Sequence, residues 1–418
     1  MREMKDSGVQ WIGAIPVDWK VDNPKYHFTQ RKDRAKPGMV QLTASQKYGV
    51  ITQTEYMERT GANIVTVEKD FDILKLVRAG DFVIHMRSFQ GGLEYSEKTG
   101  STSSAYVMLI PHSTICEPRY YKWFFKSSNY IDALSSTSNL VRDGQAMRWA
   151  NFIQLPIPFP PASEQRRIAD FLDAKCAEID ALTADIQTQI DTLEQYKRSV
   201  ITETVTKGLN PNAEMKDSGV FYMAPMNAAW KLTKIGYICS KLSRSFAPED
   251  TALICSNKGK VQVRADDLTG IMVSDDNAMQ GIHAGDIAIH GMDTWHGAIA
   301  LSEYDGKITR VVHVCDSTED KRFIVYYMQH LAFQGVYKLI SNGVRGNTSD
   351  FRSWDKVRDI WIAIPETKEE QAAICDYLDS QCTAVEEVIA TKKEQLEVLG
   401  EYKKSLIFEY VTGKKEVI

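Results

Sequence analysis

The sequence predicts an α+β protein: two homologous mixed α/β domains separated by two long helices that pair as an antiparallel coiled coil. Three observations predict it. Glu3-Met4-Lys5-Asp6-Ser7-Gly8-Val9 returns letter for letter as Glu214-Met215-Lys216-Asp217-Ser218-Gly219-Val220, and Trp19-Lys20 returns as Trp230-Lys231 at the same offset of 211. The run from Glu194 to Glu203 returns in modified form from Gly400 to Glu409, at an offset of 206. Heptad-like apolar seams cover residues 168–200 and 374–406. A period this long is no solenoid repeat; it means two homologous halves and two similar working surfaces.

The elements follow in chain order. Residues 1–158 and 209–365 form the large domains, and residues 159–208 and 366–418 the helices. In each large domain a Gly-Asp turn leads into a strand, Gly80-Asp81 into Phe82–His85 and Gly285-Asp286 into Ile287–His290. Residues 63–67 and 309–314 alternate in the manner of strands. Arg119–Phe125 and Arg322–Met328 are aromatic-rich helices expected to pack on a sheet. Pro156, Pro158, Pro160 and Pro161 precede the first long helix, and Gly208 with Pro211 closes it. A helix from about Ser163 to Thr206 is roughly 66 Å long. Its expected seam is Ile168, Leu172, Ile179, Leu182, Ile186, Leu193, Tyr196 and Val200, with Lys175 and Gln189 in the gaps. The second seam is Ile374, Leu378, Val385, Val388, Leu399, Tyr402 and Leu406, with Gln381, Lys392 and Gln395 in the gaps. Thr367 and Glu370 read as a capping box. The last helix ends where its expected successor would be the N-terminal segment. The chain ends are therefore expected to meet, in a pseudo-two-fold, circularly permuted layout.

Composition narrows the class. The 418 residues are 43% apolar and 25% charged, as in ordinary globular chains. No apolar run of membrane-spanning length and no signal peptide stand in the sequence. Seven cysteines without a CxxC pair predict reduced thiols and a cytoplasmic location. Cys176 and Cys382 are repeat equivalents expected to pack helices. The net charge is −5, but the helices hold most of it: 6 Lys+Arg against 9 Asp+Glu in 159–208, and 7 against 12 in 366–418. The large domains carry 20 against 16 and 17 against 18, with local basic clusters, a profile that permits nucleic-acid binding on part of the surface.

There is no P-loop, no HExxH, no GxGxxG between a strand and a helix, and no Asn/Asp-Pro-Pro-aromatic motif. His283, His290 and His296 lack a counterpart cluster around His85, so a structural or DNA-facing role is expected over metal ligation. No nucleophile, metal site or cofactor site is predicted.

Binding candidates recur at matched places. Ser45-Gln46-Lys47, followed by Tyr48, aligns with Ser256-Asn257-Lys258. Gln and Asn amides suit adenine, and Lys suits guanine or phosphate. Arg31, Lys32 and Arg34 in the first half, and Lys241, Arg244, Lys258 and Lys260 in the second, form basic clusters suited to phosphates. Arg87 and Ser88 follow His85 as Thr294 and Trp295 follow His290. Arg142, Gln145 and Arg148 match the region of Arg345, Asn347 and Arg352. A plain polar surface explains each of these singly about as well.

The whole chain resembles the specificity subunit of type I restriction–modification systems. The carrying residues are Met4–Val9 with Trp11-Ile12-Gly13, Ile15-Pro16 and Trp19, then residues 155–161 followed by Glu164-Gln165, then Tyr196-Lys197-Arg198-Ser199. The second copy departs from the pattern at residues 221–225 and 364–367. The resemblance implies two target-recognition domains, each reading one half of a bipartite, asymmetric site in double-stranded DNA. It implies a non-catalytic chain whose helices act as a spacer and dock two methyltransferase (modification) subunits, with room for two restriction (motor-nuclease) subunits. S-adenosylmethionine, ATP and magnesium then belong to the partners. The alternatives are the specificity subunit of another multi-subunit restriction or methylation system, a coiled-coil scaffold that binds no DNA, and an enzyme with a divergent site.

Overall fold

The computed structural model describes residues 2–64, 66–67, 71–112, 117–137, 147–264, 278–341 and 351–417. It divides into two compact units. Unit one comprises residues 1–186 and 393–418, and unit two residues 187–392. Each unit therefore takes one large domain plus half of each long helix.

The two units are built on one frame. Unit one has a four-stranded antiparallel sheet in the order Phe28–Arg31, Val107–Pro111, Phe82–Ile84, Glu94–Tyr95. Unit two repeats it as Cys239–Lys241, Val312–Ser317, Ile287–His290, Ile299–Leu301. The glycine turns before the central strands are as expected: Gly80 and Gly285 have φ of 96° and 86°, which favours glycine. On each sheet lies the aromatic helix, Pro118–Phe124 in unit one and Lys321–Phe333 in unit two. Phe28, Phe82, Tyr121, Phe125 and Phe152 form one core with edge-to-face ring pairs such as Phe28–Tyr121 at 5.5 Å. A second four-stranded sheet stands in unit two, with Ala252–Ser256 parallel to Gly306–Thr309. In unit one the matching strands form two separate hairpin-like pairs, joined by a parallel bridge between Gln41 and Ser101.

Two strand expectations need correction. No strand covers the described residues of 63–67. Instead the Gln41 amide pairs with the backbone there, Nε2 donating to Val67 O at 2.8 Å and Val67 N donating to Oε1 at 3.0 Å, and so does a strand's work from a side chain. Residues 309–314 are not one strand: Thr309 ends the strand Gly306–Thr309, residues 310–311 turn, and residues 312–314 begin the strand Val312–Ser317.

The proline stretches work as expected, because they feed the long helices Ala162–Lys207 and Lys368–Val411. At each helix start an acid and an amide tie the helix to its domain. Glu164 Oε2 accepts from Trp19 Nε1 at 2.9 Å, and Glu370 Oε1 accepts from Trp230 Nε1 at 3.0 Å. Gln165 accepts from Glu117 N and donates to Pro160 O; Gln371 accepts from Asp320 N and donates to Pro365 O. Thr367 caps Glu370 N at 3.2 Å, but the Glu370 carboxylate goes to Trp230, so the capping box is only half formed.

The helices run antiparallel within each unit. In unit one Asp180 Oδ1 accepts from Lys403 at 2.6 Å, and Phe171 meets Tyr410 at 4.4 Å. In unit two Lys197 pairs with Glu386, and Lys392 donates to Gln189. The seam differs from expectation by one residue at every second position. Leu172, Ile179, Ile186 and Leu193 turn inward as expected, but Cys176, Thr183, Ile190 and Lys197 stand where Lys175, Leu182, Gln189 and Tyr196 were expected. The second helix makes the same change, with Cys382, Ile389, Leu396 and Lys403 in place of Gln381, Val388, Gln395 and Tyr402. Leu182, Tyr196, Val388 and Tyr402 are 45–54% exposed. Lys197 and Lys403 can enter the seam because each meets a carboxylate there. Cys176 and Cys382 are buried helix-packing residues, and burial pushes the Cys176 thiol up to about 11.

The chain ends meet in unit one. Lys414 Nζ donates to Ile12 O at 2.7 Å and to Ala14 O at 3.1 Å, and Tyr120 Oη donates to Val411 O at 2.7 Å. Gly413, at φ 69°, ends the helix where a Cβ would stand 2.5 Å from Pro16. In unit two the first helix ends at Gly208 against Trp230, and Asn227 donates to Lys207 O. The same junction is thus made once through the chain and once across its termini.

Unit two carries a built-in acid sensitivity. His330 is 3% exposed, and its Nδ1 lies 3.1 Å from Thr202 Oγ1 of the first long helix. Burial pushes the imidazolium pKa from 6.5 down to about 4. The unfolded chain takes up this proton near 6.5, so the contribution is whole above that pH and is lost as pH falls toward 4. The loss amounts to roughly 3 kcal/mol. His330→Gln is expected to flatten the acid limb of unit-two unfolding, read by hydrogen exchange of residues 321–333. An unchanged acid limb would contradict the assignment.

Candidate nucleic-acid interface

Each domain is locked by a buried ion pair at the root of its candidate site. Arg31 Nε and Nη2 donate to Asp81 at 2.6 and 2.7 Å, and Arg244 Nε and Nη2 donate to Asp286 at 2.6 and 2.8 Å. Each aspartate also accepts a backbone N–H, from Arg78 and from His283. Arg31 bonds Asp33 as well and is 9% exposed. It is therefore a frame residue, and the expectation that it meets phosphate is corrected. Arg244 is half-buried and makes no third bond among the described residues.

In unit two the segment after Arg244 borders a groove of about 830 Å³. Lys241, Ser243, Arg244, Ser245 and Arg310 supply its polar lining, with Phe246 and Gln280, and no carboxylate lines it among the described residues. The sequence builds it through one close approach. Gly281 N donates to Arg244 O at 3.0 Å, and a Cβ on Gly281 would stand 2.2 Å from Ser245 O. Arg310 sits on the 310–311 turn, where its Nε donates to Met279 O at 2.9 Å. Lys241 and Arg310, with two hydroxyls and the Asp286-paired Arg244, make a surface suited to phosphodiesters. Arg310, Ser243 and Ser245 were not anticipated, although the alternation Ser243-Arg244-Ser245 was a visible signal. Lys241→Ala and Arg310→Ala are each expected to weaken binding to every DNA sequence alike and to lower the salt slope by about one unit. Titration at several salt concentrations checks this, and an unchanged slope would remove the groove from the interface.

The other candidates separate. Lys32 and Arg34 are exposed, with Arg34 Nη1 donating to Ile73 O. Ser45, Gln46, Lys47 and Tyr48 form a hairpin end, where Gln46 Nε2 donates to Arg87 O at 3.0 Å, which joins two of the expected loops. Arg87 and Arg148 are exposed. Asn257 and Lys258 are exposed at the matching hairpin end. Lys260 is instead bonded to Glu386 of the second long helix at 2.8 Å. Ser88 is fully buried and its Oγ accepts from His85 N; Thr294 is 1% exposed. Lys260, Ser88 and Thr294 are corrected to structural roles on these grounds. Trp295 is half-buried, with Lys338 Nζ 5.7 Å from its ring. Arg352 is exposed. Arg142, Gln145, Arg345 and Asn347 lie outside the described residues. His85 Nδ1 accepts from Arg87 N, and His290 Nδ1 from Asp293 N, so both histidines form the turn after their strand. Among the described residues there is no cluster able to hold a metal ion and no helix long and apolar enough to cross a membrane.

Comparison with known proteins places this arrangement beside one family. The description "Type I restriction modification DNA specificity domain" matches residues 19–192. The type I restriction enzyme MjaVIII specificity subunit of Methanocaldococcus jannaschii is 21% identical, over 96% of this chain and 94% of the relative. The chain is similar over nearly its whole length to a type I restriction–modification specificity subunit. The putative MjaX specificity subunit of the same organism is 20% identical, over 97% of this chain and 96% of its own length. A solved chain described under "Structural basis underlying complex assembly and conformational transition of the type I R-M system" shares the fold at a TM-score of 0.66. It is 15% identical and covers 96% of this chain and 99% of that chain. The family match falls in the first half of the chain, and the second half repeats its frame with different loops.

Proposed function

We propose that each unit reads one half of a bipartite, asymmetric DNA target and that the paired helices dock two methyltransferase subunits. The observation that carries the docking is a duplicated pair of exposed apolar residues on the long helices. In unit one these are Leu182 and Tyr402, and in unit two Val388 and Tyr196, each 45–54% exposed. Two equal pairs suit two copies of one partner, whereas the differing hairpin ends Gln46-Lys47 and Asn257-Lys258 suit two different half-sites. The chain itself is non-catalytic in this reading. S-adenosylmethionine, ATP and magnesium are held by the methyltransferase subunits and, where present, by two restriction subunits, in the cytoplasm.

The experiment is binding of the assembled methyltransferase to a library randomised across both half-sites. Asn257→Ala is expected to relax one half, by roughly 1–3 kcal/mol for a lost bidentate contact to a base, and Gln46→Ala the other. If either variant changes both halves equally, or neither, the base-reading residues lie elsewhere.

A further inference from the structure

Unit one holds a second cavity, of about 560 Å³, between the hairpin of residues 46–51, the helix Pro118–Phe124 and Lys403 of the second long helix. Six lysine or arginine side chains line it against three carboxylates, and one of the six, Lys403, is paired with Asp180 outside it. Glu55 is shared by Arg59 Nη2 at 2.6 Å and Lys98 Nζ at 2.7 Å. Glu94, 2% exposed, holds Lys126, which also donates to Gly91 O at 2.9 Å. Among the described residues Lys122 has one carboxylate partner, Glu97, at 4.0 Å. Two aromatic rings stand among the cations: Tyr48 between Lys47 at 5.2 Å and Arg59 at 5.3 Å, and Trp123 between Lys122 at 5.8 Å and Lys403 at 6.0 Å.

Unit two carries different residues at the matching place. Ala300 stands opposite Ala288 where Glu94 stands opposite Val83. Aligning Arg322 with Arg119 puts Val325 at the place of Lys122 and Gln329 at that of Lys126. Gln329 fills the space, with its Nε2 2.5 Å from where a Cβ on Gly259 would stand. The hairpin is drawn to the helix by Lys260 and Glu386, whereas unit one has Gly49 in that register. The frame therefore folds with Ala, Val and Gln at these positions. Burying a carboxylate and a lysine instead costs desolvation, and the fold does not require it.

We propose that this cavity binds a small phosphorylated ligand of the nucleoside phosphate class. The surplus cations meet the phosphates, the rings flank the organic part, and the volume is that of a small-molecule site. The site shares Gln46, Lys47 and Tyr48 with the hairpin end proposed to read DNA, and adds to it Arg59, Lys122 and Trp123.

The test is calorimetric titration of the full chain with ATP, with pyrophosphate and with a short DNA duplex. Lys122→Val installs the second unit's residue, and Arg59→Ala removes an exposed cation, so neither leaves a buried charge unpaired. ATP is expected to bind, and each variant to weaken it by about tenfold, the factor for one lost charge-assisted bond. Pyrophosphate reports whether phosphate alone suffices; binding of either that falls in both variants supports the site. No binding at millimolar ligand, affinity unchanged in both variants, or displacement of ATP by the duplex would overturn it. Half-site selectivity of the assembled methyltransferase is expected to be unchanged in Lys122→Val, so failure here leaves the DNA reading standing.

Discussion

In a chain carrying Leu182→Asp and Tyr402→Asp, one methyltransferase subunit is expected to be lost from the assembly and the other kept. Both side chains are about half exposed in the free chain. They lie outside the seam, so charge there leaves the helix pair folded. On docking, each carboxylate would be carried into an apolar contact without a partner, at a cost of several kcal/mol. Tyr196→Asp with Val388→Asp should remove the other subunit by the same mechanism. Native mass spectrometry of the reconstituted complex reads the subunit count directly. Retention of both subunits in each double variant would show that the exposed apolar residues are not the docking residues. Loss of both in either one would show that assembly does not proceed pair by pair.

The second large effect concerns the buried ion pair. Asp81→Ala leaves Arg31 buried with only the exposed Asp33 as partner and strips Arg78 N of its acceptor. Breaking such a pair from one side costs about 3–5 kcal/mol, a large share of the stability of a domain. Unit one is expected to unfold far below the denaturant midpoint of unit two. The double change Arg31→Met with Asp81→Leu should recover most of the loss, because it removes both charges together. A loss under about 1 kcal/mol for Asp81→Ala would mean that Arg31 is solvated and free to meet DNA, contrary to the frame role assigned above.

The duplication made most of the fold legible. Matched segments marked the Gly-Asp turns, the aromatic helices and the long helices, and the junction of the chain ends followed from repeat order. The helix seam was misread at alternate positions for a physical reason. Leu182, Tyr196, Val388 and Tyr402 are apolar without being seam residues, while Thr183, Lys197 and Lys403 are polar within it. Hydrophobicity alone selects the wrong member of the pairs 182/183, 196/197 and 402/403. What tips the balance is a cross-helix carboxylate, Glu386 or Asp180, that no local pattern reveals. The interface was less legible because charge partners lie far apart in sequence. Arg31 looked like its neighbours Lys32 and Arg34 until Asp81 folded onto it, 50 residues on. Arg310 read as part of a strand until the turn placed it beside Arg244.

The most direct test of two readers on one chain is to map methylated positions in DNA treated with the assembled complex. The account predicts a single asymmetric motif of two unlike halves separated by unspecified bases, with no methylation when this chain is omitted. A continuous or palindromic motif, or methylation at the same positions without the chain, would contradict it.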